Sequence, residues 1–368
     1  MTSSRDLLRP GVNIIIDGQW GSTGKGKLAA YLAGRSTVTL ATSDLQANAG
    51  HTVVLSGKKY VTRHLPCSFV NREARIFLSA ACTIDLPVLL AEIEALESFG
   101  VQNRLRIHPR ACVIEPRHAG EEKRDNNYMA STMKGVGAAA AEKMRRLRTA
   151  SLAGNCVKLA RRGWIGEVDV VDECQRGGTV LAETAQGFDL SLNHGHLFPY
   201  VTSRDVTTGA TLSNLAVAPT FLRRVWGSLR AYPIRVGNTE GGWSGPHHQD
   251  QHETNWQLLG VPPEITTVTG RVRRVFSWSE EQFYRFVRAC GPTDLFLNFA
   301  NYIDPACAEI RTPAAIPEAV MLRVKAIERQ VTKALWGSKA LVRLIGTGAD
   351  DADMVDMLET VPAGECAE

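Results

Sequence analysis

The sequence predicts an α/β protein with a large, mostly parallel central sheet flanked by helices. Three observations carry that expectation. Strand-like and helix-like segments alternate along the chain, the order that repeated βα units produce. The stretch "IIIDGQWGSTGKGK" (14–27) runs from an apolar segment through a glycine-rich turn into a helical pattern. The 368 residues are 44% hydrophobic and 22% charged, ordinary for a globular chain that buries a sizeable core.

Taken in order, "VNIIID" (12–17) is a short β-branched run, as in a buried parallel strand. "KGKLAAYLAG" predicts a helix stopped by Gly34. "HTVVLSGKKYVTRHL" predicts a hairpin around "SGKK". "IDLPVLLAEIEALESFG" has helical period and ends on Gly100, and residues 137–149 form a second helical stretch with a basic end. "GGTVLAET" (177–184) is strand-like. "APTFLRRVWGSLRAY" predicts a helix running into a strand at "PIRVG". "SEEQFYRFVRAC" predicts a helix, "TDLFLNFA" a buried strand, "PEAVMLRVKAIERQVTKALW" a long helix and "ALVRLIGTG" a last strand. Residues 115–136, 185–210 and 237–272 are rich in Gly, Thr, Asn and charge, and are expected to be long functional loops.

Composition narrows the function classes. The net charge of +4 accommodates anionic ligands but gives no polybasic footprint for nucleic acid. No apolar segment approaches a membrane span, and the start "MTSSRDLLRPGVN" lacks the apolar core of a signal peptide. The eight cysteines contain no CxxC pair, so reduced thiols and a cytoplasmic setting are expected.

A strand, a glycine-rich turn and a helix gather free backbone N–H groups and the positive helix end at one point, which suits phosphate. The spacing departs from the standard P-loop. Five residues separate Gly18 from Gly24, and Gly26 follows Lys25 where Ser or Thr would hold magnesium. A plain tight turn with two solvated lysines is the alternative reading of those residues.

The turn is more specific than its glycines. "GQWGSTGKGK" resembles the "GxQWGDEGKGK" signature of the adenylosuccinate synthetases. "NAGHTVV" (48–54), "RHLPCS" (63–68), "AQGFDLSLNHGHLFPYVTS" (185–203), "TVTGRVRR" (267–274) and "GTG" (346–348) resemble further motifs of that family in the same order. The resemblance spans residues 14 to 348 and implies the adenylosuccinate synthetase fold as one domain over 1–368. It implies a ligase in which a nucleoside triphosphate phosphorylates O6 of a purine monophosphate. The amine of L-aspartate then displaces phosphate from C6.

It also implies site residues. His51 and Gln186 match catalytic positions, as does Ser22 in the loop. Gly21, Thr23, Gly24, Lys25, Gly26, Lys27, Thr52, Asn298, Phe299, Asn301, Gly346 and Gly348 match the triphosphate site. Ser22, Asn48, Ala49, Thr132, Arg146, Gln186, Thr202 and Arg271 match the monophosphate site, with Arg146 reaching across a homodimer. Thr132 and Arg146 rest on the looser match of "STMKGVG" to "TTGRGIG". Thr269, Gly270, Arg271 and Arg273 match the loop that holds aspartate, where guanidinium forks suit carboxylates. Gly50, with Ser22, matches the position of Mg²⁺, the implied cofactor.

Two departures matter. Ser22 replaces the family aspartate that removes the N1 proton of the base and ligates magnesium, and Thr23 replaces the glutamate after it. A small neutral hydroxyl leaves room for the 2-amino group of guanine. "NFANYIDP" (298–305) replaces the guanine-reading "TKLDVLDG", so that Phe299 stands for the lysine and Asn301 for the aspartate. An amide both donates and accepts, as the N1/N6 edge of adenine requires. Together the changes resemble the bacteriophage branch of the family, which joins aspartate to dGMP with ATP or dATP to form N6-succino-2-amino-2'-deoxyadenylate on the route to diaminopurine DNA. A phage-encoded chain would work in the host cytoplasm. An ordinary member using IMP and GTP, and an inactive nucleotide-binding paralogue, remain the alternatives.

Overall fold

The computed structural model describes residues 6–266, 269–335 and 340–359. Nine strands form the central sheet, in the order Met354–Asp356, Leu341–Gly346, Asp294–Asn298, Leu222–Arg230, Gly11–Asp17, Thr179–Glu183, Leu40–Ser43, Arg75–Leu78, Leu105–Ile107. All neighbours pair in parallel except the Met354–Asp356 edge strand, which is antiparallel. "ALVRLIGTG" is therefore followed by one more strand, which the sequence did not signal.

The first strand lies at the middle and is buried along its whole length. Ile15 faces one apolar layer and Ile14 and Ile16 the other, as the two-residue strand period requires. One layer contains the Lys25–Arg35 helix and the His51–Thr62 hairpin, and the other the Glu280–Cys290 and Glu318–Ala334 helices. The hairpin, the Leu86–Ala95 helix and the strands at 179–183, 294–298 and 341–346 fall where the sequence placed them. Residue 336, in the predicted long helix, and residues 267 and 268, in the predicted aspartate loop, lie outside the described residues.

Three expectations need correction. The stretch predicted as a helix over "APTFLRRVWGSLRAY" is the nine-residue strand Leu222–Arg230 at the heart of the sheet. Leu222, Val225, Trp226 and Leu229 recur at helical spacing, but a central strand is covered on both faces and needs no alternation. Its buried arginines are matched by tertiary partners. Arg224 Nη1 donates to Asp294 Oδ2 at 2.7 Å on the adjacent strand, and Arg230 pairs with Glu264. Within the loop predicted at 115–136, Pro116–Asp125 is a helix, started by Pro116 behind a Glu115/His118 capping box. The first helix also continues past Gly34 to Arg35.

The hairpin is pinned by a buried carboxylate. Glu92, on the Leu86–Ala95 helix, accepts from the backbone N–H of Arg63, His64 and Leu65 at 2.8, 3.1 and 3.1 Å. This is the work of the "RHLPCS" motif, which ties down the far end of the hairpin that begins at His51.

Asp294 also faces Arg343 Nη1 at 3.9 Å from the next strand. Replacing Asp294 by Ala leaves the buried Arg224 guanidinium without its carboxylate. The expected loss is about 3–5 kcal/mol of unfolding free energy, measured by urea denaturation, and no change within error would refute the role given to the pair.

Candidate active site

The carboxyl ends of the parallel strands open onto one cavity of about 630 Å³, the place where open α/β sheets bind ligands. The Gly11–Asp17 strand delivers the glycine loop, Leu40–Ser43 the Asn48–Gly50 segment, Thr179–Glu183 Gln186, and Asp294–Asn298 both Asn298 and Phe299.

The loop is folded around Asp17. This fully buried carboxylate accepts from Gln19 N (2.8 Å), Gly21 N (3.3 Å), Thr23 N (3.4 Å), Thr23 Oγ1 (2.7 Å) and Lys25 Nζ (3.2 Å). Gly21 and Thr23 thus commit their amides within the loop. The N–H groups of Lys25, Gly26 and Lys27, in the first helical turn, have no intrahelical acceptor and are the donors left for an anion. Gly24 begins the helix with φ 95°, and Asn298 packs so closely on both Gly24 and Gly346 that a Cβ at either would collide with its side chain.

Lys25 Nζ also donates to Gln186 O at 2.6 Å, and Lys27 Nζ donates to Gly348 O at 2.8 Å and Asp353 O at 2.7 Å. Burial lowers the Lys27 pKa to about 8, and the nearby aspartates only partly oppose it. Burial likewise lowers Arg235 and Arg273 to about 10. The cavity wall therefore carries several desolvated cations. Among the described residues Glu264 is its only carboxylate. Burial alone would raise the Glu264 pKa, but Arg230, Arg273 and the Tyr302 hydroxyl hold it below the usual range. Such a wall suits substrates that bring their own negative charge.

His51 is buried, with Nδ1 hydrogen-bonded to Glu183. The other Glu183 oxygen accepts from Cys67 N at 2.7 Å. A carboxylate on Nδ1 fixes that nitrogen as the donor and leaves Nε2 for the cavity. Sequence reasoning missed Glu183. An acidic residue closing the buried run "TVLAE" was the available signal. Gln186 has a left-handed backbone (φ 56°). Its Nε2 donates to Asn48 Oδ1 at 2.8 Å, and its buried Oε1 has no protein partner. Ser22, also left-handed at φ 57°, lines the cavity, and its carbonyl accepts from Arg230 Nη1 at 3.2 Å. The Arg230 guanidinium lies 4.1 Å from the ring centroid of Phe299, which is itself on the cavity.

The cavity brings together Gly21, Ser22, Gly24, Lys25, Gly26, Lys27, Asn48, Ala49, Gly50, His51, Thr52, Thr132, Gln186, Thr202, Arg273, Asn298, Phe299 and Gly348. The other sequence-derived candidates lie off its wall. Thr23 is buried against Asp17, Gly346 ends the Leu341–Gly346 strand beneath Asn298, and Asn301 sits in the short 3-10 turn after Phe299. Arg146 is on an exposed turn. Thr269 and Gly270 line neither this cavity nor the adjoining 390 Å³ pocket, which is lined by Arg271, whose guanidinium donates to Gly237 O at 3.0 Å and Ser131 O at 3.0 Å. Trp20, Tyr200, Arg235 and Glu264 line the main cavity and were not anticipated.

Comparison with known proteins agrees on the fold and the family. A family model for adenylosuccinate synthetase matches residues 14–162 and 166–305. The N6-succino-2-amino-2'-deoxyadenylate synthase of Acinetobacter phage SH-Ab 15497 is 34% identical over 342 residues, covering 83% of this chain and 87% of its own. The adenylosuccinate synthetase of Pyrococcus sp. (strain ST700) is 33% identical over 354 residues, covering 95% and 99%. The solved succinoaminodeoxyadenylate synthetase of cyanophage S-2L, bound to dGMP and dATP as an energy donor, superposes with a TM-score of 0.81 at 33% identity, covering 95% of this chain and 96% of that one. Identity alone does not separate the two branches, but on the family they agree. The chain belongs to the adenylosuccinate synthetase family.

Proposed function

We propose that this chain is the ligase that condenses dGMP with L-aspartate at the expense of ATP or dATP, giving N6-succino-2-amino-2'-deoxyadenylate, ADP or dADP, and phosphate. The observation that carries the reading is Ser22. A neutral hydroxyl stands on the cavity wall at the family's aspartate position, and among the described residues no other carboxylate but Glu264 lines that wall. The space and the missing charge suit a base with an amino group at C2. Phe299 supports the same reading from the triphosphate side, because its ring, backed by Arg230, offers a flat face for an adenine. The S-2L relative, with dGMP and dATP bound, is consistent with both assignments.

In this scheme the N1 proton of the guanine passes to a carboxylate of the bound aspartate substrate as O6 attacks the γ-phosphorus, and the nucleoside diphosphate leaves. The aspartate amine then attacks C6, and phosphate leaves with the O6 oxygen. The amides of residues 25–27 and the lysines at 25 and 27 hold the triphosphate. His51, oriented by Glu183, stabilises charge on O6 and on the moving phosphoryl group. Gln186 and Thr202 present buried, unpartnered Oε1 and Oγ1 atoms to the monophosphate nucleotide. Arg273 draws the aspartate carboxylate, with Arg271 beside it. Ser22 orients the base instead of deprotonating it. Arg146, exposed and away from its own cavity, is available to the site of a second copy.

The donor set fits magnesium carried mainly by substrate phosphates. Among the described residues no three His, Cys, Asp or Glu side chains gather to hold a metal, and Asp17 is saturated by its own loop. The Gly50 carbonyl and the Ser22 hydroxyl would supply hard oxygen ligands, and the ion would neutralise the charge developing on the phosphates.

A substrate matrix tests the reading. Purified protein with aspartate and magnesium should yield succino-nucleotide, detected by mass, from dGMP with ATP or dATP and little from IMP with GTP. The reverse pattern would make this an ordinary adenylosuccinate synthetase, and no product anywhere an inactive relative. Ser22→Asp should lower kcat/KM for dGMP by about 10²-fold, and unchanged turnover would remove the steric argument. Glu183→Gln should lower kcat by about 10²-fold with the KM for dGMP nearly constant, because it disturbs the histidine and not the binding contacts. A normal kcat would mean that His51 needs no such orientation.

A further inference from the structure

We propose that Asp44 and Arg204, neither of them on the cavity wall, form a positioning pair that holds three substrate-bearing segments in register for the purine monophosphate. Asp44 follows the Leu40–Ser43 strand and is 5% exposed. Its Oδ1 accepts from Arg204 Nη2 at 2.9 Å and from Ala185 N at 3.3 Å, and its Oδ2 accepts from Asn214 Nδ2 at 3.2 Å. Arg204 Nη1 donates to Asp44 O at 2.7 Å, and Nη2 also reaches Ala185 O at 3.5 Å.

Each end of the pair adjoins a segment of the site. Ala185, gripped at both its N–H and its carbonyl, immediately precedes Gln186. Arg204 lies two residues beyond Thr202, whose N–H donates to Leu190 O at 2.7 Å. Asp44 begins the segment that leads to Asn48 and His51, and Asn48 is bonded to Gln186. Gln186 holds a left-handed backbone that a non-glycine residue adopts only when its surroundings impose it. The pair supplies that constraint, fixing the residue before Gln186 from two directions. A planar fork spans a side chain and two carbonyls at once, which an ammonium does not do in the same geometry. Neither residue touches substrate, so both act through Ala185 and Thr202.

The inference rests on the proposed ligase reaction for its assay. Full-length wild type, Arg204→Lys, Arg204→Met, Asp44→Asn and the double variant Asp44→Asn/Arg204→Met are compared in steady-state turnover, with calorimetric binding of dGMP and of IMP in parallel. Arg204→Met and Asp44→Asn should raise the KM and Kd of the monophosphate by about tenfold to 10²-fold while the KM of the triphosphate stays within about twofold. Arg204→Lys should recover only part of the loss, and the double variant should be little worse than either single one. A merely structural pair would lower the amount of active enzyme, hence kcat and melting temperature, and leave both KM values alone. That result would overturn the proposal. Wild type that works on IMP and not on dGMP would refute the substrate assignment, and the same comparison then runs on IMP. Where no variant turns over, equal monophosphate affinity in wild type and Arg204→Met overturns the pair's role by itself.

Discussion

The carboxylate of Asp17 is the interaction on which the site depends. It sits fully buried at the end of the central strand and collects three backbone N–H groups, a hydroxyl and an ammonium from the next eight residues. Left unpaired there, a charge would be too costly to bury. Paired five ways, it dictates the path of the chain. That path points the carbonyls of Ser22 and Thr23 outward from the loop, to Arg230 at 3.2 Å and to Asn298 at 3.1 Å. Asn298 in turn packs on Gly24 and Gly346, so the loop, the adjacent strand end and the last parallel strand are locked as one unit.

This arrangement separates the two substitutions in the loop. Ser22 faces the cavity, where, under the proposed reaction, the loss of a carboxylate alters what base is accepted. Thr23 faces inward and donates to Asp17 at 2.7 Å, so its hydroxyl belongs to the loop's own hydrogen bonding and not to the substrate. Two neighbouring departures from one motif therefore have different physical settings, and only Ser22 is placed to meet a substrate.

The electrostatics of the cavity follow from the same economy of carboxylates. Lys27 and Arg235 are buried cations and Arg273 a partly buried one, all with lowered pKa values, and the single acidic side chain among the described residues of the wall is already engaged by Arg230. The site holds more desolvated positive charge than its own anions balance. A triphosphate, a monophosphate and a dicarboxylate would each relieve part of that imbalance on binding, which couples their affinities to one another through a shared field.

Much was legible in the sequence because it was local. The glycine turn, the hairpin around Ser56 and Gly57, and the helices over 86–95, 280–290 and 318–334 follow from turn chemistry and periodicity that act within a few residues. The family motifs marked most of the cavity wall for the same reason, since each is a short run at one strand end. What tertiary structure decided was every question of partnership. Leu222–Arg230 has the spacing of a helix and became a strand because two parallel neighbours pair with both of its edges, an apolar layer covers each face, and Asp294 and Glu264 receive its arginines. Glu183, 132 residues from His51, and Arg204, 160 residues from Asp44, carry no local signal of the pairs they make. A buried charge is tolerated only where the fold brings its counter-charge, and that meeting is a property of the sheet order, not of any segment read alone.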